Sequence, residues 1–396
     1  MPDISIVADL VHEGVRARNR AAETFFCREA DRLAVAARDL AERLGRGGKV
    51  VAVGRDHYAT DAAHIEVEFV HPVLVGKRAL PALDLSSHSS DALLASLRRE
   101  DVLVVLGPPG GEDSWGSAAR AAAARGVAVF RLPGSAGEYA FRAGSDDPFI
   151  HQELLEVLYH TLWESIHVFL ESEGHGGDTQ PHDGGEAAFL YPFLSGRGPN
   201  AGTVEDVALS IRSKVEEDAR LRTALARDQA TALAEIAEAI HRRSAEGAKV
   251  LVFGNGGSAT DANDLALDLL ASPKGGRSVP AISLAGSAAC TSAVANDVGA
   301  AELFLRPLIA HGSPGDIAFG ISTSGGSKNV IAALAEARRR GLLTVALLGH
   351  GGGEALRSGV VEHAVVVGSA SIPRIQEVQA SAYHLLVDLL AEHELG

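Results

Sequence analysis

Two short stretches of the chain hold the residue types that bind an anion. Gly254-Asn255-Gly256-Gly257-Ser258 follows an apolar run ending at Phe253 and precedes an Ala-rich segment with helical spacing from about Ala259. Ser322-Thr323-Ser324-Gly325-Gly326-Ser327 has the same layout after Ile321, with a helical pattern opening near Lys328. Glycines let a backbone turn sharply and present successive N–H groups, and a helix N-terminus adds partial positive charge, so phosphate is favoured in such loops. A lone serine before a helix is ordinarily a cap. Two such loops at the ends of neighbouring strands, one of them with hydroxyls at Ser322, Thr323, Ser324 and Ser327, instead predict a phosphate site.

The elements that must position these loops occur twice. Lys49-Val-Val-Ala-Val-Gly54 with Ala59-Thr-Asp-Ala62 recurs as Lys249-Val-Leu-Val-Phe-Gly254 with Ala259-Thr-Asp-Ala262, an offset of 200. Asp101 to Leu106 matches Asp316 to Ile321 at an offset of 215, and Gln152, Glu153 and His160 match Gln376, Glu377 and His384 at 224. Each copy opens with a long amphipathic segment, Val11 to Leu44 and Val204 to Ala245, where Ala, Leu, Ile and Val recur at helical spacing. Short Val/Ile/Leu runs then alternate with Ala-rich helical patterns, which implies parallel strands covered by helices on both faces. The expected fold class is α/β, as two tandem doubly wound parallel-sheet domains with flanking helices. The expected boundaries are residues 1–171, a Gly/Pro-rich linker over 172–200, and residues 201–396.

Composition narrows the function. The 396 residues carry 36 Lys+Arg against 51 Asp+Glu, a formal charge of −15, with no basic cluster. Nucleic-acid readers and anionic-membrane binders need such clusters, so neither partner is expected. Cys27 and Cys290 form no metal or redox spacing. The first twenty residues mix charges with apolar residues rather than forming a signal peptide, and apolar runs such as Val102 to Leu106 are far shorter than the ~20 residues of a membrane span. A cytoplasmic location is the expectation.

Together, Gly254-Asn-Gly-Gly-Ser258, Asn296-Asp297, Ser322-Thr-Ser-Gly-Gly-Ser327 and Arg374-Ile-Gln-Glu377 with His384 resemble the sugar isomerase (SIS) domain family, and within it the sedoheptulose 7-phosphate (phosphoheptose) isomerases. The resemblance is close over about residues 205–392 and weak over 12–170. It implies phosphate or substrate binding by Asn255, Gly256, Gly257, Ser258, Ser322, Thr323, Ser324, Ser327 and Gln376, with Asn296 and Asp297 near the sugar. It also implies a zinc site built from a His and a Glu on one helix and a Gln and a His on another.

The chain departs from that pattern informatively. In the second copy the His and Glu positions hold Asp264 and Asp268, whereas Gln376 and His384 remain. The first copy has His64, Glu68, Gln152 and His160 at the corresponding positions, the full metal set that the resemblance implies, with Glu68 and His160 as base and acid. Its phosphate loops are replaced by Gly54-Arg-Asp-His-Tyr58 and Gly107-Pro-Pro-Gly-Gly-Glu-Asp113. His64 and Glu68, at i and i+4 on a helix, have Cβ atoms about 6 Å apart and can share a metal. Gln152 and His160, eight apart, differ by about 12 Å of rise on one helix. Either the ion draws on more than one domain, or part of the set binds it. Asp264, Asp268 and His384 are the residues of an expected second, weaker site. Asp56, Glu112 and Asp113 lie where an anion would bind in the first copy. Phosphate is therefore expected at the second copy's serines and not at Asp56 or Glu112.

The inventory favours a ketose–aldose sugar-phosphate isomerase acting on sedoheptulose 7-phosphate, with zinc as cofactor and a site shared by the two copies across a domain or subunit interface. A homodimer would then give a four-domain assembly. The competing reading is a non-catalytic sugar-phosphate-binding module, since fold does not imply function. An amino-sugar isomerase suits the tandem layout but not the Arg374-Ile-Gln-Glu run.

Overall fold

Apolar runs of four or five residues between glycines become strands here because they are buried on both faces. Val50–Val53 (β1), Val102–Leu106 (β3), Val250–Phe253 (β6) and Ile317–Ser322 (β8) are buried throughout. The computed structural model describes residues 4–72, 77–111, 114–134, 137, 139–142, 144–172 and 203–392. The linker expected over 172–200 falls almost wholly outside the described residues, as do Glu112 and Asp113.

The chain divides into two compact units, and the division is not the one the repeat suggests. Arg20–Glu216 form the first unit; Met1–Asn19 with Glu217–Gly396 form the second. Two 42-residue helices, α1 (Ile4–Gly45) and α6 (Val204–Ala245), each cross the division. The expected boundaries at 171 and 201 therefore give way to boundaries inside helices.

In the first unit α1 is followed by β1, α2 (His57–Val70), β2 (Ala82–Asp84), α3 (Ser90–Ser96), β3, α4 (Gly116–Ala124), β4 (Ala128–Leu132), β5 (Tyr139–Ala140) and α5 (Pro148–Ser172). All strand pairings are parallel, in the order β2-β1-β3-β4-β5. From β1 the chain steps to β2 on one side and then crosses back to β3 on the other, and this reversal between β1 and β3 opens a crevice at the strands' carboxyl ends. Trp115, Leu93, Val51, Val105 and Ala119 pack one layer of the core.

The second unit repeats the plan. After α6 come β6, α7 (Gly257–Ala271), β7 (Ala281–Ser283), α8 (Ala288–Asp297), α9 (Leu305–His311), β8, α10 (Lys328–Arg339), β9 (Leu343–Gly349), α11 (Gly353–Arg357), β10 (His363–Val367) and α12 (Ile372–Glu392). The parallel order β10-β9-β8-β6-β7 is the first unit's order with β8 in the place of β3. One lysine–aspartate clamp recurs in both sheets. Asp101 accepts from the Lys49 backbone N–H (3.0 Å) and pairs with its Nζ (2.5 Å), and Asp316 treats Lys249 the same way (3.0 and 2.6 Å).

Residues 1–19 are integral to the second unit. Val7, Val11 and Val15 are buried, Asn19 donates to the Ala219 carbonyl (3.1 Å), and Arg18 pairs with Asp388 (3.5 Å). Gly14 lies so close to Leu385 that a Cβ would come within 2.6 Å of its side chain. Burying a valine contributes at least about 1.5 kcal/mol. Deleting residues 1–19 is expected to destabilise the second unit by several kcal/mol and to raise amide exchange in α12. Unchanged α12 protection would refute that role. Among the described residues, no helix is long and apolar enough to cross a membrane.

Candidate functional site

Adjacent strands β6 and β8 deliver the two serine loops of the second unit. Gly254 turns so tightly that a Cβ there would lie 2.4 Å from the Ser258 carbonyl oxygen. Ser258 is buried near the start of α7. In the other loop, Ser322 Oγ accepts from the Gly325 N–H (3.1 Å) and lies 3.2 Å from Ser327 Oγ, while Ser324 Oγ accepts from the Gly326 N–H (3.1 Å). Gly325, at φ 61°, packs against Gly352, where a Cβ would meet the carbonyl oxygen at 2.4 Å. Asn255 and Asn329 exchange amide hydrogen bonds (3.0 and 2.8 Å), which ties the first loop to the helix after the second. The result is a braced pair of loops with hydroxyls and amide N–H groups at the carboxyl ends of neighbouring strands. Asn296 and Asp297 lie at the exposed end of α8, hydrogen-bonded to each other (2.7 Å).

The buried faces of α7 and α12 hold the remaining second-unit candidates. His384 Nε2 sits 3.4 Å from Asp268 and 3.6 Å from Asp264, and Tyr383 donates to Asp264 (3.0 Å). Gln376 is buried. Nearby in sequence, Arg374 pairs with Glu377 (2.8 Å) and Asp218 (3.7 Å), all three buried. Burial first, then the Glu377 charge, raises the Asp218 carboxyl well above its ordinary range.

In the first unit α2 packs on α5 and brings four titratable groups together. His64 Nε2 is 3.9 Å from Glu68 Oε1, and the rings of His64 and His160 stand edge to face with centroids 5.2 Å apart. His64, Glu156 and His160 each offer a ligand atom within 4.8 Å of the others, and all three are buried. Tyr159 Oη lies 3.0 Å from His64 Nδ1. The second unit reproduces this contact as Tyr383 with Asp264. A hydrogen bond at Nδ1 orients an imidazole so that Nε2 faces the ligand position. Burial, followed by the neighbouring His160, holds His64 well below the ordinary imidazole range, which keeps it in the neutral, ligating form.

Of the set expected to hold metal, the structure gathers His64 and His160 with Glu68 beside them. Gln152 turns elsewhere, donating to Asp61 (3.1 Å) and toward the His57 carbonyl (3.4 Å). Glu156 was missed by the sequence reading, although its i, i+4 spacing to His160 was a usable signal. Two imidazoles and a carboxylate are a donor set that suits zinc with a coordination position left open.

A family model described as the SIS domain matches residues 215–349. Phosphoheptose isomerase of Thermodesulfovibrio yellowstonii is 39% identical over 183 residues, which is 46% of this chain and 90% of the relative. The enzyme of that name from Desulfovibrio desulfuricans is 42% identical over 189 residues, 47% of this chain and 89% of the relative. Each relative thus matches just under half of the chain. Among solved structures, the C-terminal domain of glucosamine-fructose-6-phosphate aminotransferase from Francisella tularensis is similar in fold, with a TM-score of 0.62 at 10% identity, covering 99% of this chain and 96% of that one.

Proposed function

From the premise that the chain belongs to the sugar isomerase (SIS) domain family, we propose that it is a sugar-phosphate isomerase converting sedoheptulose 7-phosphate to a heptose 7-phosphate. The observation that carries this reading is the division of groups between the units: serine loops in the second, and the buried His64, Glu68, Glu156 and His160 cluster in the first. Relatives that bear the phosphoheptose isomerase name support the choice of sugar. In this reading both units serve one reaction, within a chain or between chains of a homodimer.

Aldose–ketose interconversion moves a proton between neighbouring carbons and needs a proton donor or an electrophile at the carbonyl oxygen. We assign Glu68 as the base and His160 to the oxygen, with Ser258, Ser322, Ser324 and Ser327 holding the phosphate. Zinc held by His64, Glu156 and His160 would polarise the carbonyl. A ligand role and a proton-donor role for His160 are alternatives that metal content decides.

The test combines an isomerisation assay on sedoheptulose 7-phosphate with metal analysis of the purified chain. Glu156→Gln should weaken zinc retention by at least the ~10–100-fold typical of lost support around a metal, while Gln152→Ala retains it. Equal loss in both variants would return Gln152 to the ligand set, and a wild-type chain without zinc would remove the metal from the proposal. One observation favours a second reading, a sugar-phosphate binder without turnover. The unit that carries the serine loops has Asp264 and Asp268 where the family pattern has His and Glu. Saturable binding of sedoheptulose 7-phosphate with no product would establish that reading.

A further inference from the structure

The first unit contains a cavity of about 470 Å³ at the carboxyl ends of β1, β3 and β4, separate from the His64 cluster. It occupies the place in the sheet where the second unit has its serine loops. Its walls are of different chemistry. Arg55 follows β1, Arg131 lies in β4 and Arg142 follows β5; together with the Gly107–Gly111 backbone and Trp115 they line one space. Among the described residues, none lining the cavity is acidic.

Several features prepare this space for a ligand. Arg55 is held in position, donating to the Ser86 carbonyl (3.2 Å) with its guanidinium 4.5 Å from the centre of the Trp115 ring. Trp115 is 1% exposed, and its indole N–H has no acceptor among the described residues. A buried donor left without a partner is costly, and Trp115 lines the cavity wall. Guanidinium groups bind phosphate and carboxylate through paired N–H donors. The volume is within the ~300–1,000 Å³ of small-molecule sites, and the position is the crevice that parallel sheets use for ligands.

We propose that this cavity is a second binding site, for a small molecule bearing a phosphate or a pair of carboxylates, read by arginines instead of serines. The proposal does not depend on the isomerase reading. It runs against the expectation that the first copy rejects anions. That expectation weighed Asp56, Glu112 and Asp113; Asp56 is exposed and does not line the cavity, and Glu112 and Asp113 lie outside the described residues, so the proposal rests on Arg55, Arg131, Arg142 and Trp115.

The chain has two tryptophans, so Trp163→Phe leaves Trp115 as the sole emitter. In that full-length background, pyrophosphate and citrate are titrated separately at constant ionic strength. A saturable change in emission is expected for at least one, and the one that acts identifies the phosphate or the carboxylate class. Its dissociation constant should rise about tenfold or more in Arg131→Gln and in Arg142→Gln, and stay unchanged in Ser324→Ala. If Trp163→Phe does not fold, the same comparison is read from the emission of the chain with both tryptophans, Trp163 being fully buried in α5. No saturable response to either anion, equal affinity in the arginine variants, or loss of the response in Ser324→Ala would each overturn the proposal.

Discussion

Glu68→Gln is expected to lower turnover of sedoheptulose 7-phosphate by about 10² to 10⁴, while sugar-phosphate affinity stays within about twofold. The amide keeps the shape of the side chain but cannot accept a proton. Glu68 is 1% exposed, beside His64 on the buried face of α2. Ser324→Ala should behave in the opposite way. Its hydroxyl belongs to a loop assigned to the phosphate, remote from the reacting carbons, so its loss weakens ground and transition states alike and raises KM with little change in kcat. Steady-state kinetics of the two variants, with binding measured separately, check both. Unimpaired turnover in Glu68→Gln, above all if Asp268→Asn is inactive, would move the chemistry to the second unit.

Arg374→Met should be among the most destabilising single changes in the second unit. Arg374 is 1% exposed and Asp218 and Glu377 are fully buried, so removing the guanidinium takes away the cation paired with both carboxyl groups and leaves Arg222 as the positive charge acting on Asp218. Breaking a buried pair in this way costs about 3–5 kcal/mol, which urea unfolding would register as a lower midpoint at constant slope. The same cluster sets a pH dependence. Asp218 keeps its proton in the native state to a higher pH than the unfolded value of 3.8, because burial and then Glu377 oppose its ionisation. Native protein therefore binds more protons than unfolded protein as pH rises above that value, and this group's contribution to stability declines across the window up to the folded pKa. Asp218→Asn removes the decline. Its stability relative to wild type should grow as pH rises from about 4, and parallel pH curves for the two proteins would exclude the assignment.

The tandem sheets were legible because their determinants are local. Runs such as Val102 to Leu106 admit burial on both faces, and the matched Lys49/Asp101 and Lys249/Asp316 positions form the same clamp in each unit. The paired glycine–serine loops were legible for the same reason: each loop is one continuous segment. Other features depend on what the fold brings together. Val11 and Val15 fall in the amphipathic pattern that opens at Val11, but such a pattern does not name its partner, and the packing of residues 1–19 with 217–396 had no local signature. Arg55, Arg131 and Arg142 share no spacing; they meet at one cavity because β1, β3 and β4 are neighbours in register. Glu156 was readable from its distance to His160, and matching to the family pattern drew attention to Gln152 instead.

Because residues 1–19 belong with 217–396, a segment synthesised ahead of the first unit finds its native contacts only after that unit has been made. Ribosomes add about 5–20 residues per second, so this segment waits about 20–70 s before α12, which it contacts, has been made. Through that interval the stripe of Val7, Val11 and Val15 lacks its native cover, and closing the loop that joins it to α12 carries the entropic cost of a contact spanning most of the chain. Cleavage between the expected sequence halves would consequently yield no self-sufficient fragment, since each fragment would retain a helix segment that completes the other.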